Sequence, residues 1–184
     1  MLTRRSLVLG LSAVPFAALA QAKLTEDGMY HFDWYLESFL DLTEDIETAA
    51  KSGKHLAVIF SQRACPYCKR MAEEHFSNER IVTYVREHFD ILHLNLFGAR
   101  DVTDLDGKVL SERDFARAQG VRLTPTIIFY PTQVQGLAQK DPRQREVARM
   151  PGLLEPEPFL AMFRYVKEEA FTKQSFPDWL KQQG

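Results

Sequence analysis

The chain is short of cysteine: its 184 residues include two, Cys65 and Cys68. A pair excludes a disulfide-dense scaffold and an all-cysteine zinc site. An excess of charge of either sign is also missing, since 23 basic and 25 acidic side chains leave a formal net charge of −2. No basic nucleic-acid footprint is expected at the level of the whole chain. Internal repeats and low-complexity tracts are absent. What remains is ordinary: 45% hydrophobic and 26% charged residues, the balance of a soluble globular protein. That balance excludes disorder, collagen-like repeats and a multi-span membrane protein. The length is that of one domain with a terminal extension.

The N-terminal segment differs from the rest. Arg4 and Arg5 precede an uncharged apolar stretch from Leu7 to Ala20, interrupted by Pro15. The small-residue pairs Ala18/Ala20 and Ala20/Ala22 follow with the spacing of a signal-peptidase site. The stretch is shorter than the ~20 residues that span a bilayer. Residues 1–22 are therefore expected to be a signal peptide and 23–184 a single soluble domain, exported to the periplasm. An uncleaved membrane anchor is the alternative. The run Thr3-Arg4-Arg5-Ser6-Leu7-Val8 resembles a twin-arginine signal, so the export route stays open between that and the general one.

Periodicity predicts the elements of the mature chain. Leu42, Ile46, Ala49 and Ala50 recur at helical spacing before Gly53. His55 to Phe60 is a nearly continuous apolar run, as in a strand buried on both faces. A helix is expected from Pro66 to about His75, and Ile81, Val82, Val85 and Phe89 continue with helical spacing. Ile91 to Phe97 alternates and reads as a strand. Gly98 to Leu110 reads as an acidic loop turning at Asp106-Gly107. Ser111 to Asp114 resembles a capping box for a helix ending at Gly120. Thr126 to Tyr130 and, more weakly, Glu146 to Met150 read as strands around a polar loop. Phe159, Phe163, Val166 and Ala170 mark a last helix. Strands interleaved with helices and closed by a late hairpin imply an α/β fold, a mixed central β-sheet flanked by helices.

Cys65-Pro66-Tyr67-Cys68 follows a strand and opens a helix, the context that makes C-x-x-C a redox motif. A cysteine capping a helix has unpaired N–H groups and the positive end of the helix dipole facing its sulfur. These favour the thiolate, the nucleophile of disulfide exchange. Pro66 suits the first helical position, where its missing N–H has no partner to lose. Cys68, one turn on, is placed to attack a mixed disulfide. Arg63, Lys69 and Arg70 add positive charge nearby, or are plain surface residues. Other readings of the pair stand beside this one. A structural disulfide would close a tiny loop with little entropic effect. Metal binding needs further ligands, and of His31, His55, His75, His88 and His93 only His75 is close in sequence. An iron–sulfur cluster shared between chains is a third.

Pro125, sixty positions after Cys65, stands in the run Gly120-Val121-Arg122-Leu123-Thr124-Pro125-Thr126. Here the chain resembles the thioredoxin superfamily, whose members place a cis-proline immediately before a central strand. The resemblance implies a thioredoxin fold, with an N-terminal extension and a loop insert before the helix that leads to this proline. It makes the Thr124–Pro125 bond cis and sets Pro125 beside the cysteines, leaving the backbone before it free to pair with an extended substrate segment. The run CPYCKR, the insert Asp101 to Leu110, Gly120 to Thr126 and Arg149-Met150-Pro151-Gly152 also resemble the exported SoxW-type thioredoxins of bacterial sulfur-oxidation systems.

What the resemblance implies is a thiol:disulfide oxidoreductase that reduces disulfides of periplasmic client proteins. Cys65 attacks, Cys68 resolves, and Thr124, Pro125, Pro66 and Tyr67 meet the client. A membrane electron donor of the CcdA type and a sulfur-carrier protein are the implied partners. No cofactor beyond the Cys65–Cys68 disulfide and no metal is expected. A disulfide oxidase or isomerase, and a metal- or client-holding module without turnover, are the alternatives.

Departures from the family leave the direction of electron flow open. Ala64 and Pro66-Tyr67 replace a Trp and a Gly-Pro, and Ile59 stands where a buried acid often serves the resolving thiol. His93, on the next strand, is expected to be a surface histidine, the alternative being a place near the site from which it assists. Reference potentials of about −270 to −120 mV span ~7 kcal/mol. Two quieter features complete the reading. Asp101, Asp104, Asp106 and Gly107 faintly echo a calcium loop but lack its spacing, so a solvated acidic loop is expected. Tyr30, Phe32, Trp34, Tyr35 and Phe39 are expected to pack an N-terminal segment on the core, the alternative being a partner surface.

Overall fold

The computed structural model of the protein describes residues 21–183. The segment expected to be a signal peptide lies almost entirely outside the described residues. A four-stranded sheet in the order β4-β3-β7-β8 forms the centre. It is built from β3 (His55–Ser61), β4 (Phe89–Asn95), β7 (Thr126–Phe129) and β8 (Ala148–Pro151). β3 and β4 run parallel, whereas β7 is antiparallel to both β3 and β8. This is the mixed sheet expected from the element order.

Every residue of β3 is buried, which explains its unbroken apolar run. Ala57 and Ile59 join one core with Met71 and Ala72, just past α2 (Pro66–Arg70), and with α3 (Glu79–His88), α5 (Pro156–Lys167) and α6 (Phe176–Leu180). Leu56, Val58 and Phe60 join a second core with α1 (Leu42–Lys51) and α4 (Glu112–Ala118). Helices thus cover both faces. Phe89, Phe129 and Phe163 meet edge to face, with ring centroids 4.9–5.8 Å apart. Truncating such a fully buried ring costs about 3–5 kcal/mol. Helix starts follow the side chains available. Asp41 caps α1 by accepting from the Thr43 and Glu44 N–H groups, Asn78 caps α3, and Ser111 caps α4 with Asp114 as expected.

Several expectations need correction. Phe89 opens β4 rather than closing a helix, and β4 ends at Asn95, before Phe97. After Arg70 the backbone widens into a π-helical turn, Met71–His75. α5 stops at Lys167, where Glu169 takes a left-handed φ of 51°, so Ala170 lies in a separate 3-10 turn. The acidic segment is not a solvated loop. It forms a hairpin, β5 (Asp101–Thr103) with β6 (Val109–Ser111). The Asp104 carboxylate accepts the Asp106 and Lys108 N–H groups at 2.9 Å, and Asp106 pairs with buried Arg145. These two carboxylates are occupied in turning and anchoring the hairpin.

A further hairpin, β1 (Lys23–Leu24) with β2 (Tyr30–His31), precedes the core. Behind it Phe32 and Tyr35 are buried and Trp34 packs against them, as expected of an N-terminal segment laid on the core. Phe39 departs from that expectation and is almost fully exposed. Among the described residues, no helix is long and apolar enough to cross a membrane.

Candidate active site

β3 delivers the chain to the site, and four residues after its end Cys65 caps α2 in extended conformation (φ −89°, ψ 108°). Ala64, just before it, is held in the left-handed region at φ 55°. That conformation costs a non-glycine residue about 1–2 kcal/mol. Pro66 occupies the first helical turn, as its fixed φ and missing donor favour. Cys65 and Cys68 are joined by a disulfide, with Cα atoms 5.2 Å apart. The Cys68 N–H donates to Cys65 Sγ at 3.1 Å. The cysteines differ in access only slightly, at 5% and 2% exposed, while Tyr67 between them is 59% exposed.

The chain before β7 supplies the opposite side. The Thr124–Pro125 peptide bond is cis. Thr124 Oγ1 lies 3.3 Å from Cys65 Sγ, and the Thr124 carbonyl oxygen lies 3.6 Å from it. Pro125 is buried, and its carbonyl accepts the Gly152 N–H at 2.8 Å. Of the six predicted site residues, Cys65, Cys68 and Thr124 converge, and Pro125 follows Thr124 across the cis bond. Pro66 and Tyr67 form the exposed turn beside them. Two donors, one backbone N–H and one hydroxyl, point at Cys65 Sγ, an arrangement that stabilises negative charge on that sulfur.

The nearby cations have different duties. Arg70 is paired with Glu74 at 2.8 Å and Glu155 at 2.9 Å, which fixes its charge away from the cysteines. Lys69 lies 3.7 Å from Glu73. Arg63 donates to the Asp27 and Glu26 carbonyls, both at 3.2 Å, and so ties the β1–β2 hairpin to the loop before Cys65. A cleft of about 580 Å³ opens between hairpin and site, lined by Leu24, Gly28 and Tyr30 on one side and Ala64, Cys65 and Pro66 on the other.

Ile59 is fully buried, so no carboxylate stands at the position where the family often has one. His93 pairs with Ile59 across the sheet but is not at the surface. It is 5% exposed, and its Nδ1 lies 3.3 Å from His31 Nδ1. Burial pushes its pKa down to about 3, with the neighbouring His31 and Arg100 adding to the effect. The ring is therefore neutral, and its polar partner is His31 rather than a cysteine. His75 is also buried, its Nε2 bonded to the Leu154 carbonyl at 2.8 Å. That nitrogen is already committed, and among the described residues no cluster of three or more metal-binding side chains occurs. The sequence reading missed the hairpin's role at the site and the His31–His93 pair. The aromatic density from Tyr30 to Phe39 signals packing there, but not against which surface.

Comparison with known proteins fits this geometry. The model of the thioredoxin-like domain matches residues 42–167, so the chain belongs to that family. Among solved structures, it is similar to a thioredoxin-fold protein from Helicobacter pylori, at 19% identity and a TM-score of 0.56, over 78% of this chain and 92% of that one. A thioredoxin from Thermus thermophilus aligns at 21% identity and a TM-score of 0.51, over 68% of this chain and 83% of that one. No curated protein matches the chain. The fold is the thioredoxin fold, and its Cys65–Cys68 disulfide fits a thiol:disulfide oxidoreductase.

Proposed function

We propose that this chain is an exported thiol:disulfide oxidoreductase that reduces disulfides in periplasmic client proteins, in the manner of SoxW-type thioredoxins. The observation carrying this reading is Cys65 at a helix start, with the Cys68 N–H and the Thr124 hydroxyl aimed at its sulfur. In the reduced form the Cys65 thiolate attacks one sulfur of a client disulfide. A Cys65–client S–S bond forms, and the client's other sulfur leaves as a thiolate. Cys68 loses its proton to water and attacks Cys65 Sγ, which closes the Cys65–Cys68 disulfide and releases the second client thiolate. Two electrons pass to the client, whose thiolates take protons from solvent. Thr124, before the cis-proline, presents its backbone to the client strand, Pro125 shapes the surface the client meets, and Pro66 with Tyr67 forms the rim.

The dithiol is the only redox group the reaction needs. Returning the pair to the dithiol takes two electrons from a membrane-embedded donor of the CcdA type, and a sulfur-carrier protein is the proposed client. The Arg4-Arg5 segment with its apolar run supports export. Insulin reduction by the wild-type chain, lost in Cys65→Ser, is the expected result. Equal rates for both proteins would overturn the reading. The potential of the Cys65–Cys68 couple against glutathione tests direction, with a value near or below about −230 mV expected of a reductase.

A further inference from the structure

We infer that the cleft between the β1–β2 hairpin and the Cys65–Pro66 turn is a client subsite for an apolar side chain next to the client's cysteine. The inference rests on the disulfide-exchange reading above. Its first support is position. Cys65 is itself part of one wall, so a client held through its cysteine has neighbouring chain at the mouth of this cleft. Neither Thr124 nor Pro125 lines it. The cis-proline segment and the cleft therefore meet different parts of the client, one offering backbone and the other side-chain surface.

The second support is that the hairpin wall is built and held. Thr25 receives the Gly28 N–H on its carbonyl at 2.9 Å and the Met29 N–H on its hydroxyl at 3.0 Å. Asn95, at the end of β4, donates to the Asp27 carboxylate at 2.9 Å. Arg63 crosses over Gly28, whose φ is +78° and where an added Cβ would approach Arg63 Cγ to 2.9 Å. Only glycine fits under that side chain without a shift. A fixed wall loses little entropy when a ligand arrives.

The third support is chemical. Leu24 is 65% exposed and faces the cleft with Tyr30, Ala64 and Pro66. Arg63 spends two of its five N–H groups on the two carbonyls, Lys69 is paired with Glu73 at 3.7 Å, and Glu26 sets an opposite charge against the cations of the lining. The lining favours an uncharged, apolar group over either ion. A volume of about 580 Å³ lies within the ~300–1,000 Å³ range of small-ligand sites.

The test uses short peptides whose single cysteine carries a nitrothiobenzoate group, released as a coloured thiolate on attack by the reduced full chain. Leucine, aspartate or lysine is placed before the cysteine in one set and after it in another. In one set the leucine peptide should react about tenfold faster in kcat/KM than the aspartate peptide, the scale of discrimination by an apolar pocket. Leu24→Asp should collapse that preference and favour the lysine peptide, a reversal that a purely structural defect would not produce. Gly28→Val, which displaces the wall, should flatten the preference without reversing it. Equal rates for all peptides in both sets, or an unchanged leucine preference in Leu24→Asp, would overturn the subsite alone. A change in the oligomeric state of Leu24→Asp with preference intact would assign the cleft to a second copy instead. No release from any peptide would overturn the exchange reading itself.

Discussion

Two polar pairs sit beside the β3–β4 ladder, and the protein treats them in opposite ways. At the Cys65–Cys68 pair, an N–H and a hydroxyl point at the first sulfur, and the turn around it is exposed. At the His31–His93 pair, two ring nitrogens face each other at 3.3 Å, and His93 Nε2 is buried without a partner. Negative charge has waiting donors at the first pair. Positive charge has none of the corresponding acceptors at the second, and Arg100 bonded to the His93 carbonyl opposes it further. Proximity to a strand end does not make a catalytic group. What distinguishes the two is whether the surroundings are prepared for the charge that chemistry creates.

Exchanging one member of each pair is the harshest way to break this contrast. Cys68→Ala should leave the first attack intact and block resolution, lowering insulin turnover by on the order of 10³. A client should remain linked to Cys65 and run as a single covalent species on a non-reducing gel. His93→Gln, by contrast, should keep turnover within about threefold, because the ring touches no reacting atom. Loss of activity in a folded His93→Gln protein would put the histidine into the chemistry and erase the distinction.

Acid should find the histidine pair first. His93 has an ordinary pKa of 6.5 in the unfolded chain and about 3 when folded, because burial penalises the imidazolium. The unfolded state then binds the extra proton, so this contribution is fully present above pH 6.5 and is lost as pH falls toward 3. Between pH 7 and 4.5 the loss is about 2–3 kcal/mol. The lowered pKa of His31, also set first by burial, has the same sign. Asp45, raised to about 6 by burial, works in the other direction over part of the range. Urea unfolding of wild type and His93→Gln at both pH values isolates the histidine. A wild-type stability that declines no more steeply than the variant's would contradict a buried, neutral His93.

The same contrast explains what was legible in the sequence. The cysteines, Pro66 and Thr124-Pro125 are read from local patterns whose chemistry depends on spacing along the chain, and the structure brings Cys65, Cys68 and Thr124 together, with a cis bond to Pro125. β3 is equally plain because burial on both faces leaves no polar position in the run. His93 resisted because its fate depends on a partner 62 positions away, in a segment whose only signal was aromatic density. Hairpin Asp101–Ser111 resisted because its strands are three residues each and its turn is held by a side chain, Asp104. The break between α2 and the π-helical turn has no mark in an otherwise helical pattern. Short elements fixed by tertiary contacts carry too little periodicity to announce themselves.

A gentler test trims a donor from Cys65. Thr124→Val keeps the shape of the side chain and removes the hydroxyl 3.3 Å from the sulfur. Hydrogen bonds to charged groups contribute ~1.5–3 kcal/mol, less where water can substitute. Thr124 is half-buried, so the first exchange with a nitrothiobenzoate peptide should slow by about three- to tenfold. Stability should hardly move. An unchanged rate would leave the Cys68 N–H as the only donor that matters.

The smallest effect belongs to the link between the two regions. The β1–β2 hairpin touches the cysteine side through Arg63, which holds the Glu26 and Asp27 carbonyls, and the histidine side through His31. Arg63 is exposed, and solvent-screened contacts of this kind contribute about 0.5 kcal/mol or less. Arg63→Ala should therefore leave the unfolding midpoint nearly unchanged while the turn loosens locally. The Gly28 and Met29 amides, bonded to Thr25, should exchange with deuterium about two- to threefold faster. The His93 amide, set in the central ladder by its pairing with Ile59, should not change. Faster exchange confined to the turn would mean that the cysteine side fixes the hairpin tip and the histidine side fixes its base. Faster exchange reaching His93 would instead make the hairpin one cooperative unit, and the two pairs would then answer to each other.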